Sequence, residues 1–330
     1  MSPITSEIIH WGILGPGNIA KQFATGLQAV SGAKLLSVGS RSQEKADAFA
    51  DQFDAPKRHA SYEALAADPE VDVVYIATPH PGHKAAALLC IEHGKAVICE
   101  KPFTINAAEA EEVITAARAK GVFVMEAMWT RFFPAMVHVR KLLEDGAIGD
   151  VRLLQADFGF RTDINPKGRL FDPALGGGGL LDVGVYAISL ASMIFGTASQ
   201  VTGLAHLGET GVDEQAAIVL GYPGGGLASI TTGIRINTPH EAHILGTDGH
   251  IKLHGPWWKP ATMTISSGGK SEEVTIPYES VGMNYEAEEV NRCLRAGETE
   301  SAILPLDETL AIMKTMDKLR AQWGLKYPME

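Results

Sequence analysis

The first 128 residues alternate two patterns. Short apolar runs occur at 8–15 (IIHWGILG), 33–40 (AKLLSVGS), 71–78 (VDVVYIAT), 95–100 (KAVICE) and 122–127 (VFVMEA). Their length and β-branched content are those of buried strands. Between them apolar residues recur at helical spacing, as with Ile19, Phe23 and Leu27. Helices are therefore expected over 18–30, 42–53, 83–94 and 106–121, with Ser42 opening the second and Gly94 closing the third. Strands alternating with helices predict β-α-β units and a doubly wound parallel sheet.

After residue 128 the texture changes. A helix is expected over 134–149 and a strand from 150, then a loop rich in Gly, Pro and Arg, then an apolar helix from 180. From 199 to 278 the chain reads as strands joined by turns such as YPGGG, GTDGH and SSGGK, which predicts an antiparallel sheet. Amphipathic helices over 284–297 and 306–324 close it. The expected organisation is an α/β chain of two domains, 1–128 and 129–330, with no long linker or repeat between them.

Composition narrows the partners. The 330 residues carry a formal net charge of −11, with Lys and Arg scattered rather than clustered, so nucleic acid is not an expected partner. Three cysteines, Cys90, Cys99 and Cys293, are too few and too far apart for a disulfide framework and suit a reducing compartment. The N-terminus lacks a basic segment followed by a long apolar one, and the apolar run at 180–196 is too short to span a membrane and contains Asp182. A cytoplasmic protein without membrane contact is expected.

In a doubly wound sheet, ligands sit at the carboxyl ends of the strands. The first such end is G-x-G-x-x-A, with Gly15 for a tight turn, Gly17 for close approach to a pyrophosphate and Ala20 for helix packing. The anion would rest on the first helical turn, at Asn18 and Ile19. At the second strand end, an acidic residue would bind the ribose diol of NAD. Ser40, Arg41 and Ser42 stand there instead, with Lys45 a turn later. A guanidinium with neighbouring hydroxyls suits a 2′-phosphate, so NADP(H) is the expected cofactor.

The stretches GILGPGNIA, ATPHPGHKAAA, CEKPF, EAMWTRFFP and GGGGLLDVGVY together resemble the Gfo/Idh/MocA oxidoreductases, from the first strand to the last helix. Within them the chain is most similar to the dimeric dihydrodiol dehydrogenase and D-xylose 1-dehydrogenase branch. The resemblance implies a Rossmann domain, a C-terminal α+β domain with an open, mainly antiparallel sheet, NADP(H), and a homodimer formed through the exposed sheet face. It maps the family's catalytic group onto Lys101, Asp182 and Tyr186. It puts nicotinamide ribose contacts near Thr78, Pro79 and His83, while Glu100 either holds the ribose or ends its strand. Many relatives carry His where Tyr186 stands, a departure that favours the dihydrodiol and xylose dehydrogenase branch.

The chemistry also follows from the residues. Asp182 and Tyr186, four apart, project from one face of a helix. A buried carboxylate needs a cation or donors, and Lys101 is the candidate cation. Oxidising an alcohol needs a base for the hydroxyl proton, and a nearby ammonium favours the phenolate. Tyr186 then moves the proton, Lys101 tunes it and Asp182 orients the pair. Trp129, Arg131 and Phe158 are substrate-pocket candidates, with Phe160, Arg161 and Arg169 added on position alone. His240, His243, His250 and His254 lack metal-ligand spacing, so no metal site is expected. The expected activity is NADP-dependent hydride transfer between nicotinamide and a sugar, cyclic diol or related carbonyl. Glucose-fructose oxidoreductase or anhydrofructose reductase chemistry, and a non-catalytic NADP sensor, are the alternatives.

Overall fold

The computed structural model describes residues 3–330, which divide into two units, 3–129 with 279–310, and 130–278 with 311–330. Residues 279–310, expected in the C-terminal domain, group with the first unit. Specific bonds explain this. The Trp11 indole donates to Asn291 Oδ1 (3.2 Å), the Val124 amide to the Thr299 carbonyl (3.2 Å), and the Thr309 hydroxyl to Glu126 (3.2 Å).

The first unit runs β1 (Ile9–Leu14), α1 (Asn18–Leu27), β2 (Ala33–Gly39), α2 (Gln43–Phe53), β3 (Lys57–His59), α3 (Tyr62–Ala66), β4 (Val73–Ile76), α4 (His83–Glu92), β5 (Ala96–Glu100), α5 (Ala107–Lys120) and β6 (Val124–Ala127). Its six strands pair in the order β3-β2-β1-β4-β5-β6, all parallel. Strands β4, β5 and β6 are buried at every position, as expected of a parallel sheet covered on both faces. Capping behaves as the residue types require: Ser42 Oγ accepts from the Lys45 amide (3.4 Å) and Asn106 Oδ1 from the Glu109 amide (2.9 Å). The short β3 and α3 were not legible in advance. Lys57-Arg58-His59 has no apolar alternation; it is a charged edge strand held by β2 and by Lys57 on Asp68 (2.8 Å).

The second unit holds α6 (Pro134–Glu144), β7 (Val151–Gly159), α7 (Val185–Phe195), β8 (Gln200–Leu207), β9 (Asp213–Gly221), β10 (Leu227–Gly233), β11 (Ala242–Gly246), β12 (Gly249–Leu253), β13 (Thr262–Ser267) and β14 (Lys270–Thr275). Helix α8 (Asn284–Ala296) belongs to the first unit, and the division falls within α9 (Leu306–Trp323). The eight strands pair in the order β14-β13-β12-β11-β7-β10-β9-β8, antiparallel except where β7 meets β10. Helix α7 is apolar on every side and is the core helix of this unit, packed on β7 and β10. Residues 173–195 are long and apolar enough by composition to cross a membrane, yet 83% of their most apolar window is buried here. The opposite sheet face is open. Leu204 is 83% exposed, and Val219 and Leu227 stand out of the same face.

Candidate active site

In the first unit the strand ends build a cradle. Gly15 has φ +82°, and a Cβ there would lie 2.8 Å from the Ala77 carbonyl oxygen, so only glycine fits. Gly17 and Asn18 are exposed, and α1 starts with no side-chain cap and no acidic residue in its first turn. The positive end of the helix, with its free amides, is left to an external anion. Ala20 is fully buried, as its packing role requires, and Ile19 is half-buried.

Serines shape the second strand end. The Ser42 amide donates to the buried Ser40 hydroxyl (3.2 Å), and this turn leaves Arg41 and Lys45 in solvent. Among the described residues neither makes an ion pair, so both charges are available to a ligand.

At the ends of β4 and β5, His83 is a brace. Its ring is fully buried, with Nδ1 2.9 Å from the Pro102 carbonyl and Nε2 2.8 Å from the Thr78 carbonyl. Burial pushes its pKa below the ordinary value, outweighing the pull of the carbonyls. A neutral ring donates to one carbonyl at a time, and neither nitrogen is left for a cofactor. The expected ribose contact is thus indirect: His83 ties the loop carrying Thr78 and Pro79 to the loop carrying Lys101. Thr78 is buried and Pro79 exposed. The Glu100 carboxylate accepts from the Tyr75 hydroxyl and from the Lys101 amide (3.2 Å), and Tyr75 stacks on Phe23 at 3.7 Å.

A second acid stands behind this one. Glu286, on α8, is fully buried, and its carboxyl oxygens have no hydrogen-bond partner. Burial, and then the charge of Glu100, push its pKa well above the usual carboxylate range. Sequence reading missed it, although Glu286 falls on the buried stripe of α8 with Val290 and Cys293.

In the second unit Asp182 and Tyr186 lie at the start of the apolar helix. Residues 180–184 form a π-helical turn that runs into α7, rather than the regular α-helix expected. Asp182 pairs with Arg169 (2.7 Å), the carboxylate side chain 6% exposed and the Arg side chain 63%. The cation within this unit is therefore Arg169, where the sequence suggested Lys101 of the other unit. An exposed guanidinium adds little stability, so the pair mainly fixes orientation.

Tyr186 is 7% exposed and its ring centroid lies 5.4 Å from that of Phe158. Phe158 stacks on Trp258 at 3.4 Å and 9°, and His240 stands edge-on to both. His240 is held at φ +65°, its amide donating to Asp157 Oδ1 (2.6 Å) and its Nε2 lying 2.6 Å from the Gly159 carbonyl. The Thr130 hydroxyl donates to the Trp258 carbonyl (2.6 Å). Phe158 was anticipated beside the site, whereas Trp258 and His240 were not. Only the WW pair at 257–258 hinted at an aromatic wall.

Arg131 is a correction. It is 2% exposed, with Nε donating to Ser189 Oγ (3.0 Å) and Nη2 to the Ser189 carbonyl (2.7 Å). These bonds brace α7 from within the protein, so Arg131 is not an open substrate contact. Trp129 is half-buried at the end of the first unit. Of the other histidines in this region, His243 lies near Glu241 (3.4 Å) and His254 near the Thr264 hydroxyl (2.8 Å).

Residues 9–128 match the oxidoreductase family with an NAD-binding Rossmann fold, and residues 136–252 match the GFO/IDH/MocA C-terminal domain. The mouse trans-1,2-dihydrobenzene-1,2-diol dehydrogenase is 41% identical over 334 residues, covering 98% of this chain and 99% of the mouse protein. The human protein of that name is 39% identical over 98% of this chain and 99% of its own length. A 3-ketoreductase from Actinomadura kijaniata, solved with NADP and TDP-benzene, shares the fold with a TM-score of 0.85 at 23% identity, over 95% of this chain and 97% of that one.

Proposed function

Since the chain belongs to the GFO/IDH/MocA oxidoreductase family, we propose that it is an NADP(H)-dependent dehydrogenase acting on a cyclic trans-diol, in the manner that its mammalian relatives' name states. The observation that carries this reading is the aromatic wall beside Tyr186. Phe158 stacked on Trp258 offers a flat apolar face to a six-membered ring, beside the Tyr186 ring. Full-length identity of about 40% to trans-dihydrodiol dehydrogenases supports it.

The residues present fit a nicotinamide dinucleotide. The Gly15 turn, which a Cβ would fill, and the uncapped start of α1 suit the pyrophosphate, with Gly17, Asn18 and Ile19 supplying backbone. Ser40, Arg41 and Lys45 would meet the 2′-phosphate of NADP, with both cations already in solvent. Thr78, Pro79, Glu100 and Lys101, at the strand ends, would hold the nicotinamide ribose. When bound, the cofactor supplies or accepts the hydride.

This chain's own residues handle the proton. Tyr186 Oη takes it from the substrate hydroxyl in oxidation and returns it to the carbonyl oxygen in reduction. Lys101 keeps the role its sequence position suggests, an ammonium that favours the phenolate form of the proton-moving tyrosine. Asp182, held by Arg169, keeps the turn that presents Tyr186 in place. The aromatic wall keeps water from the reacting carbon.

The open face of β8, β9 and β10 fits a second copy of the chain. Leu204 packs in a row with Ala217 and Thr231, and Val219 with Thr202 and Ser229. A homodimer in light scattering, and a monomer for Leu204→Glu, is the expected result. Three buried free thiols accord with a reducing, cytoplasmic setting.

The test of function is NADPH absorbance with trans-dihydrodiols, D-xylose, D-glucose and dicarbonyls, with NAD(H) in parallel. Turnover of the diol with NADP ahead of NAD supports the proposal. Preference for sugar or for NAD overturns those parts of it, and NADPH binding without any turnover makes the protein a sensor.

A further inference from the structure

The glycine run before the π-helical turn has a buried cause. Asp213, the first residue of β9, is fully buried, and its Oδ2 accepts the Leu180 amide at 2.6 Å. A Cβ on Gly178 would lie 2.1 Å from Asp213 Oδ1, and Gly178 itself has φ +116°. Gly179 passes at ordinary contact distance, its Cβ position 3.4 Å from Oδ2. The glycines let a carboxylate sit against the main chain where the site segment starts.

Other bonds secure the same loop. The Tyr327 hydroxyl donates to the Gly177 carbonyl (2.7 Å) and Thr232 Oγ1 to the Gly179 carbonyl (3.3 Å). The Gly178 amide donates to the Leu170 carbonyl (2.9 Å), beside the Arg169 that grips Asp182. Asp213 differs from these because it carries charge and because Oδ1 has no hydrogen-bond partner.

We propose that Asp213 is a positioning residue for the reaction, setting through the Leu180 amide where the segment that bears Asp182 and Tyr186 begins. The inference rests on those two residues forming the site. Leu180 stands two residues before Asp182 and six before Tyr186, so a shift at its amide is passed along one continuous turn to both.

The surroundings make the clamp responsive to pH. Burial pushes the Asp213 carboxyl up to about 7, against the Leu180 amide, its own amide, Arg320 and the Gly179 amide, which favour the charged form. The charged groups facing it are Arg320 of α9, itself paired with Asp317 (2.6 Å) and Glu330 (2.8 Å), and the Tyr327 phenol with Glu330 on the C-terminal segment. Its chain neighbour Glu214 turns to Arg235 (3.9 Å). As the carboxylate takes a proton the amide bond loses its charge assistance and roughly half its strength. The clamp is tight above neutral pH and slack below it.

The test compares wild type with Asp213→Asn in diol oxidation from about pH 6 to about pH 9. Wild-type kcat is expected to rise through a limb centred near pH 7 that the variant lacks; above it the variant's kcat falls about tenfold with NADPH affinity unchanged. Tyr327→Phe, which loosens the same loop without touching the carboxylate, keeps the limb. On the unaltered protein, the ¹⁵N-leucine resonance of Leu180 shifts with a midpoint near 7. A pH profile identical in wild type and Asp213→Asn, or a Leu180 amide that does not titrate, overturns the proposal. If Tyr186→Phe retains turnover, the reading of the site fails instead, whatever Leu180 does.

Discussion

Replacing Arg41 with alanine separates recognition of the 2′-phosphate from binding of the rest of the dinucleotide. Arg41 is exposed at the end of β2, and among the described residues no carboxylate pairs with it, so its removal breaks no native contact and leaves stability unchanged. A charge-assisted hydrogen bond contributes about 1.5–3 kcal/mol. That corresponds to roughly 10- to 150-fold in Kd at about 1.4 kcal/mol per tenfold. Because the side chain is in solvent and screened at physiological salt, the lower end applies, about tenfold. Lys45, equally exposed one turn on, adds a smaller increment as a point charge. The assay is nucleotide fluorescence titration of wild type and Arg41→Ala with NADPH and NADH. The NADPH Kd rises about tenfold, its salt dependence flattens, and the NADH Kd stays put. Equal weakening of both nucleotides, or of neither, refutes the assignment of Arg41 to the phosphate.

Three further outcomes follow from other parts of the structure. Gly15→Ala forces a positive φ on alanine and drives a Cβ to within 2.8 Å of the Ala77 carbonyl, so NADPH binding is lost and the first unit is destabilised by about 1–3 kcal/mol, read by equilibrium unfolding. Trp258→Ala removes the plate stacked on Phe158 and raises KM for a ring diol about tenfold while changing KM for D-xylose less; an equal change in both contradicts the aromatic-wall reading. The Asp213 carboxyl, raised from 3.8 to about 7, keeps in the folded chain a proton that the unfolded chain has released. Its stabilising contribution is therefore complete below pH 3.8 and is lost as pH rises through 7, about 4 kcal/mol in all at about 1.4 kcal/mol per unit. Urea unfolding of the second unit at acid and alkaline pH shows this slope in wild type and a flatter one in Asp213→Asn.

What could be read in advance followed from local rules. Gly15, Gly17 and Ala20 between a strand and a helix, and a strand end carrying Arg41 in place of a carboxylate, depend on residues a few positions apart. The rest depends on pairs distant in the chain. Arg131 read as a pocket residue from its place in MWTRFFP, yet Ser189, 58 positions on, bonds it inside the protein. His83 read as a ribose contact from the family resemblance, but two backbone carbonyls occupy its ring. Asp182 needed a cation, as burial demands, and the one it meets within its own unit, Arg169, lies on a loop without periodicity. Trp258 reaches Phe158 only once β7 and the segment after β12 are folded. The short, charged β3 never had a pattern to read, since it is made a strand by its partner β2.

The central claim is that Tyr186 moves the substrate proton, and Tyr186→Phe tests it most directly. The substitution removes one hydroxyl and preserves the ring packed 5.4 Å from Phe158, so fold and cofactor binding are retained. With NADP and a trans-dihydrodiol, kcat is expected to fall by about two to four orders of magnitude while the NADPH Kd stays within about twofold of wild type. Turnover within a few-fold of wild type contradicts the account.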